Sequence, residues 1–393
     1  MSELPARKKA HHLPALTGIR FFAIFHIFLF HLWVLYDMEK APQFEGLMSG
    51  FGDLPASLIT FLSHGWISTS FFFLLSGFIQ GYLYWTPEGQ LSKGRKEFFI
   101  ARLSRIYPIH LLVLAVTIAL ILPYVKSTND SIVTPIFSLG ATLTLTQSWY
   151  PPLVPIWSWP TWTISTLLFL YLVTPRLMKL LHQLSALNQR RLLFGLPVLS
   201  LIPTMVFAGF FPPGSEVSQN WQIFIGSFPL FWLAHYCAGL LLSRAFNISR
   251  FNQQWRPRKQ RWLSFGDLAL VSVICIALFP GIEQEPYKYF FRHGLLMPMF
   301  LVIIYDLAMH QGLAARLFSL PGMGFIGEIG YSIFIWQNLI MVMCWVAASI
   351  NPEAGDVMLI YASIGAVLLG IISTYGIEKP IARAIRKKYL AKV

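Results

Sequence analysis

Apolar runs close to the ~20 residues that a helix needs to cross a bilayer recur along this chain from end to end. Hydrocarbon offers no hydrogen-bond partners to a backbone, so such runs read as helices that satisfy their own N–H and C=O groups. The chain is 55% hydrophobic and only 12% charged, against about a quarter charged residues in ordinary soluble domains. No stretch is long and polar enough to form a separate soluble domain. The expectation is an all-α integral membrane protein: a basic N-terminus over 1–17, one transmembrane domain over 18–378 and a basic tail over 379–393. The abundant Phe, Tyr and Trp suit lipid-facing and interfacial positions.

Ten spans are expected, at 18–38, 65–85, 104–124, 162–181, 192–211, 221–243, 264–281, 289–309, 325–348 and 355–377. A weaker apolar stretch, 132–148, could make eleven. Charge decides between them, because Lys and Arg gather in cytoplasmic loops. With ten spans and both termini cytoplasmic, nearly all basic residues fall inside. Only Lys40, Lys126, Lys288 and Arg292 fall on the outer side, and Arg20 lies within a span. An eleventh span would push Arg190 and Arg191 outward. The same pattern accounts for the net charge of +13 without nucleic acid. Cys237, Cys275 and Cys344 are scattered in apolar runs and carry neither disulfide nor metal-type spacing. The first run is too long and aromatic for a cleaved signal and reads as a retained span.

Ten spans leave 125–161 as a long extracytoplasmic segment ending in SWYPPLVPIWSWPTW. Its prolines break regular structure, and Trp149, Trp157, Trp159 and Trp162 offer flat apolar faces. It reads either as an interfacial aromatic belt or as a re-entrant loop lining a cleft, since irregular backbone at membrane depth needs a cover of protein or water. Such faces suit sugar rings or lipid tails.

Ionisable residues inside spans are costly and point to function. The first span, LTGIRFFAIFHIFLFHLWVLYD, carries three. Arg20 and His31 are eleven apart, which returns the helix to the same face within about 20° and separates them by about 16 Å along its axis. His26 points about 120° away from Arg20. Taken singly, Arg20 could snorkel to the interface and His31 could be a satisfied buried histidine; their shared face favours joint use. His26 and His31 lack the i, i+4 spacing of paired metal ligands, and no metal is expected. Farther on, GWISTSFFFLLSGFIQGYLYW places Ser68, Ser70, Ser76 and Gly77 in an aromatic span, where small residues permit close helix approach. FFIARLSRIYPIH stacks Arg102 and Arg105 at i, i+3. Two guanidiniums suit phosphate oxygens, although ordinary positive-inside charge would look the same. No phosphate-binding G-x-x-x-x-G-K-[ST] loop and no G-x-S-x-G elbow is present.

At these residues the chain resembles membrane-bound acyltransferase family 3, whose members O-acylate sugars, glycans, lipids and some antibiotics. LTGIRFFAIFHIFLFH resembles the family's opening span, with its arginine and catalytic histidine falling on Arg20 and His31. SFFFLLSGF, ARLSRIYP, WTISTLLFLYLVTP, GEIGYSIFIWQ and EKPIAR resemble five further signatures in order. Three family residues are missing: a glutamate falls on Leu167, a late histidine on Gln337, and an aspartate on Ser70. Any mechanism needing a second acid at those points is thereby put in doubt.

The resemblance implies acyl-CoA as cytoplasmic donor, acetyl being the default group, and a hydroxyl of a carbohydrate, glycan or glycolipid at the extracytoplasmic side as acceptor. It implies Arg102, Arg105 and Arg383 at the CoA phosphates, Arg20 at the pantetheine or thioester carbonyl, and His31 as general base. Ser76, Trp157, Trp159, Trp162 and Tyr331 are the expected substrate contacts. The setting is the inner or plasma membrane. A secondary transporter or flippase using the intramembrane His and Arg as a relay is the alternative, but no internal repeat of the transporter kind is visible. A non-catalytic partner of a glycan-assembly complex is the third reading. The chain ends soon after Glu378, so no appended hydrolase-like domain is expected.

Overall fold

The computed structural model of the protein describes residues 13–38, 46, 48–128, 131–252 and 262–390. Arg7, Lys8, Lys9, Lys40, Arg256, Arg258, Lys259, Arg261 and Lys392, used above to orient the chain, lie outside the described residues. Those described form helices and loops, with no strand among them. In chain order the helices are α1 (Pro14–Met38), α2 (Ala56–Ser63), α3 (Ile67–Tyr84), α4 (Arg95–Thr128), α5 (Val133–Thr144), α6 (Trp162–Gln183), α7 (Ala186–Leu199), α8 (Ile202–Phe210) and α9 (Gln219–Ser227). There follow α10 (Leu233–Asn252), α11 (Phe265–Ala277), α12 (Tyr287–Phe290), α13 (Met297–Ala308), α14 (Gly312–Leu317), α15 (Met323–Ile350), α16 (Gly355–Ser373) and α17 (Lys379–Leu390).

Among the described residues, nine helical stretches are long and apolar enough to cross a membrane, and each falls on one of the ten expected spans. The tenth, 264–281, is only the 13-residue α11, because Pro280 cannot continue a helix. Its length is about 20 Å, short of the ~30 Å hydrocarbon core.

The direction of α15 shows that α11 nevertheless traverses the bundle. Near the start of both helices, Arg20 Nη2 donates to Gly327 O at 2.6 Å; near the far end, His31 neighbours Gln337. Helices α1 and α15 therefore run parallel. Six long stretches lie between them, which alone would leave α15 antiparallel, so one more crossing is required. Helix α11 supplies it. Its N-terminus is tied to the Arg20 end of the bundle: Ser264 and Asp267 form a reciprocal cap, and the Asp267 carboxylate also accepts from Leu313 N and Ala314 N. Its last residue, Ala277, accepts at its carbonyl from His64 Nδ1 beside the start of α3.

Two glycine-mediated pairs hold the bundle. A Cβ on Gly327 would lie 2.1 Å from Thr17 O, and one on Gly18 2.2 Å from Phe318 O, so α1 packs backbone to backbone on α15 and its preceding turn. In the second pair, α3 and α10 interlock at Gly77, Gly81 and Gly239. Small residues are what permit such contact where lipid supplies no hydrophobic drive between helices.

The segment 125–161 does not add a span. Helix α5 dips into the bundle until its last turn meets α4, where His110 Nε2 donates to Thr142 O at 3.0 Å. The chain then turns through Leu145, at φ 56°, into short irregular turns that climb to α6. Bonds to the bundle hold this irregular stretch, while Trp149, Tyr150 and Trp159 stay exposed. Gln147 Nε2 donates to Thr161 Oγ1, Ser148 Oγ bonds Ser165 Oγ, and Asn338 Nδ2 of α15 donates to Trp157 O.

Overpacking a backbone contact of this kind costs roughly 1–3 kcal/mol. Gly327→Val should therefore lower the thermal unfolding midpoint of detergent-solubilised protein, while Gly365→Ala, which meets nothing within 4 Å, should leave it in place.

Candidate functional site

At the His31 end, α1 holds His31 with Nδ1 2.8 Å from Ile27 O, one turn back. A carbonyl only accepts, so Nδ1 carries hydrogen and Nε2 of the neutral ring is left with its lone pair free. Gln337 of α15 stands next to it. That side chain is fully buried. His26 is placed otherwise. Its Nδ1 meets Ser68 Oγ at 2.9 Å, its Nε2 meets Phe61 O at 2.8 Å, and its ring stacks on Phe61. Both its nitrogens are spent on packing α1 against α2 and α3.

Arg292, counted on the outer side by sequence and at the edge of the 289–309 span, lies within the bundle. A short π-helical turn at Phe291–Leu295 carries it; such single-turn insertions occur often at functional sites. Its guanidinium carbon lies 5.6 Å from the Trp162 ring centre and 5.4 Å from that of Trp232, and Nη2 donates to Gly226 O at 3.1 Å. Backbone interlocks fix the turn: Ser70 Oγ donates to Arg292 O, His293 Nε2 to Ile225 O and Trp232 Nε1 to Gly226 O. Ser70, where the family aspartate would fall, thus braces the arginine's backbone.

The opposite end gathers Arg20, Arg105 and Glu378. Arg105 Nε pairs with Glu378 Oε1 at 3.1 Å, and Ser332 Oγ donates to the other carboxylate oxygen at 3.3 Å. The Glu378 charge also acts on Arg20. Tyr331 OH donates to Ile106 O at 2.9 Å, beside this cluster. Arg102 Nη2 donates to Tyr84 OH at 2.6 Å. Of the arginines on α17, Arg383 is exposed, whereas Arg386 reaches α4 through Ser104 Oγ and Ala101 O. Helical spacing explains this: Arg386 lies four residues beyond the buried Ala382, on the face turned to α4.

The expected aromatic contacts separate. Trp162 flanks Arg292, Trp157 is buried against Leu114 and Val125 with its indole N–H on Pro135 O, and Trp159 is exposed. Ser76 is half-buried on α3, and Leu167 is core. The structure therefore brings His31, Gln337, Arg292 and Trp162 to one end and Arg20, Arg105, Glu378 and Tyr331 to the other.

Comparison with known proteins puts the chain among the membrane acyltransferases. Residues 13–378 match the acyltransferase domain of acyltransferase family 3, and the chain belongs to that family. Over 176 residues it is 29% identical to the acyltransferase MdmB of Streptomyces mycarofaciens, a match covering 44% of this chain and 41% of that protein. The chain thus aligns with less than half the length of that relative. No solved structure matches it.

Breaking a buried ion pair from one side strands the other charge, at about 3 kcal/mol when one partner stays partly exposed. Arg105→Ala should accordingly destabilise the protein by that order. Arg105→Leu combined with Glu378→Leu should recover most of the loss, as thermal unfolding of the single and double variants would show.

Proposed function

We propose that this protein is an O-acyltransferase of the cytoplasmic membrane, both termini inside, that moves an acyl group from acyl-CoA to a carbohydrate or glycoconjugate hydroxyl. The observation that carries the reading is His31, whose Nε2 is left free by the hydrogen bond at Nδ1 in a chain of an acyltransferase family. Arg102, Arg105 and Arg386 crowd the face where the donor's phosphates would rest, Arg105 with Glu378 as its counter-charge. Arg383, exposed on the same helix, can meet the phosphates from outside. From Arg20 to His31 the first helix covers about 16 Å, a path for the extended pantetheine arm. Acetyl is the simplest acyl group for this path. The acceptor enters from the opposite end, where Trp162 and the exposed Trp159 offer apolar faces to a sugar ring.

His31 Nε2 then takes the hydroxyl proton as the oxygen adds to the thioester carbonyl, and returns it to the departing thiolate. General base catalysis of this kind contributes about 10²–10⁴-fold. With purified full-length protein, acetyl-CoA and a panel of glycosides, His31→Ala should lower ester formation by at least ~10²-fold while leaving the unfolding midpoint nearly unchanged. His26→Ala should do the reverse, losing stability with turnover per folded molecule retained. Arg102→Ala should raise the acetyl-CoA KM and spare kcat. A stable His31→Ala protein with normal transfer would remove His31 from the chemistry.

A further inference from the structure

Beside the start of α3, the fully buried His64 and the half-buried Glu283 face each other, neither of them used by the chemistry at His31. His64 Nδ1 lies 2.8 Å from Ala277 O. A carbonyl only accepts, so Nδ1 carries hydrogen and Nε2 of the neutral ring holds a lone pair. Nε2 stands 3.5 Å from Glu283 Oε2, an oxygen that accepts from Trp66 Nε1 at 3.0 Å. With a neutral ring and a charged carboxylate, a buried lone pair faces an anion. One proton turns the same geometry into an imidazolium–carboxylate pair. The contacts also define what the pair holds. Ala277 ends α11 and Glu283 ends the short turn Pro280–Glu283, so the α2–α3 turn grips both ends of the stretch 277–283. That α2–α3 turn is itself fixed on α1, since a Cβ on Gly65 would lie 2.5 Å from His26 O. Beyond Glu283 the chain runs on into the π-helical turn that carries Arg292. Around the pair, His26 of α1 has both nitrogens bonded, and Lys288 pairs with Glu285, which also accepts from Tyr289 OH. Asp37, Lys288 and Arg292 act on Glu283 through their charges.

We infer that His64 Nε2 and Glu283 Oε2 take up one proton between them as pH falls, and that this proton latches the stretch 277–283 to the start of α3. Histidine is the side chain that ordinarily changes charge between about pH 5 and 8. The protonated pair is the bonded one, so its stabilisation is present at the acid end of that window and is lost as pH rises through it. Without the proton, Glu283 keeps the Trp66 N–H and His64 keeps the Ala277 carbonyl, but nothing joins the two residues.

Hydrogen–deuterium exchange of full-length protein in nanodiscs, corrected for intrinsic exchange rates, reads this latch. Peptides covering 277–290 should be about tenfold better protected near the acid end of the window than near its alkaline end, the order expected of one hydrogen bond between charged groups. Glu283→Gln gives the sharpest contrast. Its amide N–H can donate to the neutral His64 Nε2, so the latch closes without a proton. Protection in that variant should be at least as high at the alkaline end as at the acid end. His64→Gln removes the titrating ring and should flatten the dependence. Glu283→Gln, on the half-buried partner, keeps the test open if His64→Gln does not fold. A wild-type stretch equally protected at both ends would overturn the inference, as would a wild-type pH dependence that survives in a folded Glu283→Gln or His64→Gln protein.

Discussion

The contact on which the arrangement depends is the glycine-to-backbone approach of α1 and α15. Lipid is as apolar as any leucine, so two helices gain nothing by hiding side chains from it and associate through close packing. Gly327 serves twice: its missing Cβ admits Thr17, and its own carbonyl receives Arg20. Those contacts set the register, and the register brings His31 to Gln337 ten residues farther along α15. A one-turn slip, about 5.4 Å, would carry the amide past the imidazole. Arg20 is therefore structural where it touches Gly327, whatever else it does.

The second close pair, α3 with α10, is the scaffold for Arg292. Tyr236 and Leu240 approach α3 where Gly77 and Gly81 have no side chains. Trp232, just before α10, packs tilted against Phe73 with ring centres 4.6 Å apart and lends its indole face to the arginine. The two pairs bring different parts of one site: the first supplies the histidine and amide, the second the walls around the guanidinium. Between them the re-entrant segment brings in Trp162 at the start of α6 and ties Trp157 to Asn338 of α15.

Much of this was legible because hydrophobic length and charge are local properties. Each apolar run reads as a helix without reference to any other. The face shared by Arg20 and His31 follows from helical period alone, and so does the different heading of His26. What escaped depended on tertiary context. Arg292 follows Lys288 and reads as a charge at the rim, because nothing in FFRHGLLMP announces a π-helical turn. Arg383 and Arg386 are both tail arginines in sequence, and only the packing of α17 on α4 separates them. For 264–281, composition extends the apolar run past Ala277, whereas Pro280 ends the helix early.

Compensation of charge distinguishes the two ends of the molecule. Among the arginines at the Arg20 end, Arg105 has the Glu378 carboxylate, Arg20 has a carbonyl and the same carboxylate at longer range, and Arg102 has a tyrosine hydroxyl and ring. Arg105 and Arg20 are compensated in this way, while Arg102 keeps its Nε buried without a partner. At the His31 end Arg292 has no carboxylate within ion-pairing distance among the described residues and is held by the Gly226 carbonyl and the Trp162 and Trp232 rings. A protein can carry an uncompensated charge only where folding over-determines it, and the backbone interlocks around Arg292 do so.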